Sequence, residues 1–422
     1  MASGGQGRSI AAWCLYDWAS SAFNTLIITF VFSVYFARGV YGDAVAGSVA
    51  WADALAISGL IIAFGSPVLG AIADRGGRRK PWLLVFAAVT IGTTVLLWTI
   101  RPEAAFVPMA LFLVVIANTA FEFSNVFYNA MLLSVAPRGK MGRVSGWGWA
   151  LGYGGGLACL AVALVGFVQP ETPWFGVERE DGGNIRATAL LVALWFAVFA
   201  LPLFLFARDE PARKATVVGA VTGGLRVLWG TIREVRRYGS IARFLLASLF
   251  YRDGLATLFI IGGLYAAGTF AMTQEDILLF AIALNVASGL GAFAFGYIDD
   301  RIGPKRTVLF ALTGLVAFGL PLLLISDITW FFVLAGGLGI FVGPAQAAGR
   351  TLMARLAPPG KETEMFGLYA FSGKVTVFLG PFLFARLTEG FDSQRAGMSV
   401  IIAFFVLGGL ILLTVREPES GK

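Results

Sequence analysis

The stretch Gly70-Ala-Ile-Ala-Asp-Arg-Gly-Gly-Arg-Arg-Lys-Pro81 is a short charged segment between two long apolar runs. It recurs 226 residues later as Gly296-Tyr-Ile-Asp-Asp-Arg-Ile-Gly-Pro-Lys-Arg-Thr307. Each copy begins with glycine, carries an Asp-Arg pair at the same distance, contains a second glycine and continues into a basic pair. Both copies therefore predict a tight charged turn, and the repeat predicts that the chain consists of two similar halves in tandem.

The composition on either side of these turns is that of a membrane protein. Of the 422 residues, 58% are hydrophobic and 14% are charged, and the mean hydropathy is +0.79, whereas soluble domains average about 25% charged residues. An apolar run of about 20 residues is long enough to cross a bilayer as a helix. The sequence predicts an all-α polytopic membrane protein with twelve transmembrane spans at 10–37, 48–73, 81–100, 104–135, 142–168, 187–207, 241–269, 274–298, 307–325, 329–356, 363–387 and 396–415.

The net charge of +7 is explained by membrane topology. If the N-terminus is cytoplasmic and the spans alternate, most of the Lys and Arg residues fall in cytoplasmic segments, as the positive-inside rule requires. We therefore expect both termini in the cytoplasm and no nucleic-acid partner. Cys14 and Cys159 lie in predicted spans without metal or disulfide spacing, and the chain has no histidine. We expect no metal site and no cofactor.

The predicted domains are an N-terminal six-helix bundle over 1–208, a cytoplasmic linker over 209–240 and a C-terminal six-helix bundle over 241–422. Within the linker, apolar and basic residues alternate at helical spacing, which predicts an amphipathic helix lying on anionic lipid. The apolar face comprises Leu225, Leu228, Trp229, Ile232 and Val235.

Polar residues at helical spacing mark spans 1 and 4 as functional candidates. Asp17 and Asn24 lie on one face of span 1, and Asn118, Glu122 and Asn125 lie on one face of span 4 together with Asn129. Charged side chains are costly among lipid chains, so these faces should meet protein or a water-filled cavity. Hydrogen bonding between helices is the alternative role for the asparagines.

Ionisable residues also occur within three later spans. Arg252 and Asp253 are adjacent in span 7 and point about 100° apart, so each needs its own partner. Gln346 and Arg350 share a face of span 10. Lys374 lies deep in span 11 and needs an anion, which is either Asp253 or Glu122 of this chain or a negatively charged group of a substrate.

The repeated turn resembles the G-x-x-x-D-R-x-G-R-R loop that follows the second helix in each half of major facilitator superfamily transporters. The segments Tyr16–Phe23, Val126–Ala130, Arg252–Gly254 and Gly367–Lys374 further resemble the vacuole-effluxer-like branch of that superfamily. The resemblance implies two pseudo-symmetric six-helix bundles that transport small solutes, with helices 1, 4, 7 and 10 around a central cavity. It also implies amino-acid export from a vacuole for the fungal members of the branch.

From the residues and the resemblance we predict a secondary active transporter of a small polar solute, most strongly an amino acid or a small peptide. It is expected to work by alternating access in the plasma membrane, as a monomer with membrane lipids around it. Proton coupling through Asp17, Glu122 or Asp253 is a further hypothesis. The turns are expected to form a conformational latch, with Asp74 near the start of span 11 and Asp300 near the start of span 5. The latch residues are Gly70, Asp74, Arg75, Gly77, Arg78, Asp300, Arg301 and Gly303.

Three other functions remain open on the sequence alone. An exporter or flippase of lipids or amphipathic compounds would use the 37 Phe and 11 Trp residues to line an apolar pathway. A non-transporting sensor or scaffold would be expected to carry a sizeable soluble domain. An intramembrane enzyme is disfavoured because the chain lacks histidine and any recognisable nucleophile or metal-ligand spacing.

Overall fold

The computed structural model describes residues 2–211, 230 and 238–417. Every regular element in these residues is helical. The predicted amphipathic helix of the linker, with Leu225 through Val235, lies outside the described residues.

Twelve helical spans are long and apolar enough to cross a membrane, so the chain is a multi-pass membrane protein. The twelve-span architecture predicted from the apolar runs is confirmed. Spans 1 to 6 are Gly5–Val40, Ala44–Gly76, Lys80–Thr99, Ala104–Val135, Arg138–Val168 and Glu180–Phe206. Spans 7 to 12 are Gly239–Phe270, Glu275–Ile302, Pro304–Leu322, Ile328–Leu356, Glu362–Phe391 and Gln394–Leu413.

Spans 1 and 11 are among the spans that depart from a regular α-helix over part of their length. Span 1 changes from α-helix to π-helix at Phe23–Phe30 and again at Phe36–Val40. Span 11 consists of two α-helices, Glu362–Lys374 and Leu379–Phe391, separated by a turn. Pro381 accounts for this break, since it has no N–H to donate to a carbonyl four residues earlier. Irregular backbone at membrane depth is tolerated where protein or water surrounds it.

Large apolar side chains are exposed along the helices, as expected for surfaces that face lipid. Val45 is 77% exposed, Leu290 65% and Phe64 64%. Aqueous exposure of so many large apolar groups would be unfavourable at about 25 cal/mol per Å². These side chains therefore mark the lipid-facing side of their spans.

The described residues form two compact units. The first contains residues up to Phe64 together with Arg78–Val135 and Leu151–Pro211. The second contains Gly65–Gly77, Ala136–Ala150 and the described residues of the C-terminal half. Two short pieces of the N-terminal half, the ends of spans 2 and 5, thus cluster with spans 7 to 12. The predicted domain boundary at 209–240 stays a prediction.

Candidate transport site and latches

The first turn holds the start of span 11 through Asp74. Its carboxylate accepts the Thr363 N–H at 3.1 Å on Oδ1 and the Glu364 N–H at 2.8 Å on Oδ2. Asp74 is 6% exposed, and Thr363 and Glu364 are buried. The first N–H groups of a helix lack partners within it and carry a partial positive charge. A buried carboxylate is therefore well suited to bind this helix end.

The second turn holds the start of span 5 in the same way. Asp300 Oδ1 accepts the N–H groups of Gly142 at 2.9 Å and Arg143 at 3.3 Å. Its Oδ2 also forms an ion pair with the Arg143 side chain. Asp74 and Asp300 thus lie where the sequence analysis expects them, and their role in gating stays a prediction.

Glycine is required where each turn meets its partner helix. A Cβ on Gly70 would overlap the Thr363 carbonyl, and a Cβ on Gly296 would lie 2.8 Å from the Arg143 Cα. Gly77 and Gly303 have φ angles of 81° and 90°, a region that disfavours other residues. The first pair of glycines permits close packing, and the second pair permits the bend.

We name these two contacts by their residues. The first latch is Gly70 and Asp74 with Thr363 and Glu364, and the second latch is Gly296 and Asp300 with Gly142 and Arg143. Three other predicted latch residues are exposed at the turns: Arg75, Arg78 and Arg301.

Span 7 packs against span 11 through a cluster of aromatic and charged residues. Arg252 donates a hydrogen bond to the Tyr369 carbonyl, and its guanidinium lies 4.1 Å from the centre of the Tyr369 ring. The hydroxyls of Tyr251 and Tyr369 are 3.3 Å apart. Gly349 of span 10 makes room for both tyrosines, since a Cβ there would lie 2.6 Å from the Tyr251 hydroxyl. Arg252 is therefore engaged with span 11.

Asp253 has a different environment from its neighbour. It is 2% exposed, and its Oδ1 accepts a long hydrogen bond of 3.4 Å from the Thr257 hydroxyl. A Cβ on Gly380, just after the break in span 11, would lie 3.1 Å from the same oxygen. Within the described part of the chain, Oδ2 has no hydrogen-bond donor. Burying a carboxylate without compensation is costly, so Asp253 is a candidate site for a proton or a cationic group.

The remaining predicted residues of spans 10 and 11 are half-buried or pack between helices. Gln346 and Lys374 are half-buried, and Lys374 is the last residue before the break in span 11. Arg350 is 3% exposed and donates to the Ser145 hydroxyl at 2.9 Å and the Ser145 carbonyl at 2.7 Å. In this arrangement Arg350 joins span 10 to span 5, and its role toward a substrate stays a prediction.

In the first unit, the motifs of spans 1 and 4 contact each other. The Trp13 indole donates to the Tyr128 carbonyl at 3.0 Å, and the Tyr128 hydroxyl donates to the Trp13 carbonyl at 3.1 Å. Their rings are stacked at 4.5 Å. These residues therefore fix the two helices together rather than line a cavity.

The polar stripe of span 4 divides into two parts. Asn118 is buried and donates to the Ser58 hydroxyl at 2.8 Å, which is the helix-joining alternative. Glu122 and Asn125 are half-buried. In span 1, Asp17 is half-buried and lies beside Gly152 of span 5. Asn24, the second residue of the π-helix Phe23–Phe30, is exposed.

Sequence reasoning missed several residues of these contacts. Tyr251, Thr257 and Ser145 have no distinctive spacing, so the sequence carries no signal for their roles. Asp299 is different, because it is buried and lies beside Asp300 in the second turn, where the first turn has Ala73. In the part of the chain that the structure describes, no group of three His, Cys, Asp or Glu could hold a metal ion.

Solved transporters share the fold. The chain superimposes on the Escherichia coli fucose:proton symporter FucP with a TM-score of 0.71 and 11% identity, covering 98% of both chains. The human organic anion transporter MFSD10 gives a TM-score of 0.72 and 14% identity, covering 96% of this chain and 99% of the other. The chain therefore has the fold of these transporters.

Sequence comparisons identify the branch. The family model described as "Vacuole effluxer Atg22 like" matches residues 46–422. The uncharacterized MFS-type transporter YxiO of Bacillus subtilis is 27% identical over 420 residues, covering 97% of this chain and 95% of the relative. Autophagy-related protein 22 of Kluyveromyces lactis is 24% identical over 378 residues, covering 82% and 74%. The chain spans about half the length of the fungal Autophagy-related protein 22-1 relatives, such as that of Neosartorya fischeri, at 49%.

The chain belongs to the vacuole effluxer Atg22-like family of transporters. The predicted superfamily and branch are confirmed, and the members of this family are transporters rather than enzymes.

Proposed function

We propose that this transporter is a secondary active carrier that moves a small polar solute by alternating access. The observation that carries the proposal is the pair of latches. Two carboxylates, Asp74 and Asp300, each bind the first turn of a helix from the other half of the sequence. Contacts of this kind form or break as a unit, so they suit a bistable element. Carriers of this class alternate by movement of one repeat against the other around a fixed site.

The face of the membrane that carries the two turns, here called the turn face, is proposed to be cytoplasmic. The basic residues Arg75, Arg78, Arg301 and Arg306 are exposed there, and the positive-inside rule places such residues on the cytoplasmic side. The plasma membrane is the proposed location, because the chain is similar over 97% of its length to a bacterial relative. Both termini then lie in the cytoplasm.

An amino acid or a small peptide is the proposed substrate class. Asp253 supplies a buried carboxylate without a cationic partner in the described residues, and such a group suits an ammonium or a proton. Lys374, half-buried at the break in span 11, is proposed as the group that meets the substrate carboxylate. Broken helices at mid-membrane are typical of substrate and ion sites in secondary transporters.

Coupling to protons through Asp253 is part of the proposal. The test is uptake of radiolabelled amino acids and dipeptides into proteoliposomes with an imposed pH gradient. Ligands are first chosen by thermal shift of the purified protein against amino acids, dipeptides, sugars and phospholipids. We expect gradient-driven accumulation by the wild type and its loss in Asp253→Asn, with substrate exchange retained because exchange needs no net proton release.

The control variant is Glu389→Gln, which removes an exposed carboxylate at the far end of span 11. It should accumulate substrate as the wild type does. Accumulation that ignores the gradient, or an Asp253→Asn variant that accumulates normally, would remove the proton-coupling proposal. A thermal shift with phospholipids alone would favour the lipid exporter instead.

A further inference from the structure

The second turn contains, beside its latch carboxylate Asp300, a buried carboxyl group that the first turn does not have. Asp299 stands one residue before Asp300, at the position that corresponds to Ala73 in the first turn. It is 1% exposed, and Ala73 is completely buried. At this buried position the second turn therefore has a titratable group where the first turn has a methyl group.

Span 5 covers Asp299 directly. A Cβ placed on Gly142 would lie 2.6 Å from the Asp299 Cγ and 2.9 Å from its Oδ2. Gly142 is also the residue whose N–H binds Asp300. Movement of the span 5 end away from span 8 would therefore break the Asp300 bond and uncover Asp299 in one step.

One oxygen of Asp299 lacks a hydrogen-bond donor while the latch is closed, since Oδ1 has no hydrogen-bond partner in the described residues. The Thr351 hydroxyl lies beside the carboxyl, and it can donate its single hydrogen either to Asp299 or to the Ala347 carbonyl at 3.1 Å. A proton on Asp299 would supply the missing donor.

The charged groups around Asp299 already have partners. Arg143 of span 5 is bonded to Asp300, the neighbour of Asp299 on its own span. Arg355 of span 10 lies 3.9 Å from Glu417, which follows span 12. The charged groups that act on Asp299 are Arg355, Asp300 and Glu417. Burial adds a desolvation cost to the charged form, which an opened latch would remove.

We infer that Asp299 is a second proton-binding site, which binds a proton when the second latch closes and releases it to the turn face when the latch opens. This inference rests on the proposed alternating access and extends it to a gate that senses pH. Because the closed state binds the additional proton, acid on the turn face favours the closed latch and alkali favours opening. The response of one such group is at most tenfold in the open-to-closed ratio per pH unit.

The experiment measures opening directly, without any substrate. Val144 is buried on the first turn of span 5, and Val144→Cys is introduced after Cys14→Ala and Cys159→Ala. Its reaction with a membrane-impermeant thiol reagent is followed in nanodiscs from pH 5.5 to 8.5. Thiol ionisation is the same background in every variant, so rates are compared with those of Asp299→Asn, which is permanently neutral.

We expect the ratio of the wild-type rate to the Asp299→Asn rate to rise with pH by up to tenfold per unit. Asp299→Ala, which reproduces the alanine of the first turn, should give the same pH dependence as Asp299→Asn and serves if the asparagine variant misfolds. A ratio that does not change with pH overturns the inference. Asp300→Asn on the same reporter tests the latch itself, because it should raise the rate at every pH if the latch closes the turn face.

Discussion

The most direct test of the gating proposal is the substitution Asp74→Asn. Asp74 accepts two backbone N–H groups of span 11 while 6% exposed. Hydrogen bonds to charged groups contribute about 1.5–3 kcal/mol each, and a charge at a helix N-terminus contributes a further ~0.3–1 kcal/mol. Asparagine keeps one acceptor oxygen but presents an NH₂ group to the second N–H. The expected loss for the closed latch is therefore about 2–3 kcal/mol.

That loss corresponds to a change of about 30- to 150-fold in the open-to-closed ratio, at 1.4 kcal/mol per factor of ten. The reporter is Thr363→Cys, a nearly isosteric change at a fully buried side chain of the first latch, in a background without Cys14 and Cys159. Modification by an impermeant thiol reagent from the turn face should accelerate in Asp74→Asn toward this factor, up to the limit set by the fully open state.

The matched control is Asp327→Asn. Asp327 also accepts two N–H groups of a helix first turn, from Thr329 at 2.8 Å and Trp330 at 3.0 Å. It caps its own span 10 at the membrane face opposite the turns, so its loss should leave the Thr363→Cys rate unchanged. If Asp74→Asn and Asp327→Asn both react within twofold of the parent, Asp74 does not hold the latch closed.

Three further predictions follow from the described contacts. Gly70→Ala should open the first latch more than Gly76→Ala, because a Cβ on Gly70 meets the Thr363 carbonyl and a Cβ on Gly76 meets nothing within 4 Å. If Thr363→Cys is modified at the same rate in both variants, the close approach at Gly70 does not matter for closure. Tyr251→Phe and Tyr369→Phe should each lower thermal stability by about 1 kcal/mol, and the double variant should lose less than the sum because the hydroxyls bond each other. Asn118→Ala should destabilise the protein by about 1–2 kcal/mol through the lost hydrogen bond to Ser58. Transport by the folded fraction should not change. A transport defect in stably folded Asn118→Ala protein would instead indicate that Asn118 contacts the substrate.

The sequence predicted the spans and the turns well because each depends on local chemistry. An apolar run of sufficient length crosses the bilayer whatever its neighbours are. Likewise, Gly77 and Gly303 occupy backbone conformations that few other residues adopt. Even the break in span 11 has a local cause, since Pro381 lacks an N–H. Features of this kind can be derived without knowing which helices touch.

The hydrogen-bond partners of the polar side chains could not be derived in this way. Periodicity shows that Asn118 and Glu122 share a helix face, but it does not show that Asn118 meets Ser58. Similarly, Arg350 was expected at a substrate, and the structure gives two of its donors to Ser145. A polar residue in a membrane needs a partner, and a neighbouring helix satisfies that need as well as water or a ligand does.

The pairing of helices explains why two kinds of segment are repeated in the sequence. The turn at Gly70–Pro81 belongs to the repeat at Gly296–Thr307. The start of span 11, which this turn holds, follows a second repeated segment, because Ala357-Pro-Pro-Gly-Lys361 is similar to Ala136-Pro-Arg-Gly-Lys140. The equivalent pair joins the turn at Gly296–Thr307 to the span 5 start after Ala136–Lys140. Each repeat thus encodes half of both latches, so duplication of one half-sequence supplies both contacts at once.

The two latches nevertheless differ in what can open them. Asp74 binds backbone groups in a buried site, so salt should not weaken this contact strongly. The second latch adds the Arg143 side chain, which is 30% exposed and therefore open to screening by salt. It also contains Asp299, which the first latch replaces with Ala73. Sensitivity to salt on the turn face is therefore concentrated in the contact between spans 5 and 8, which also holds the group proposed to sense pH.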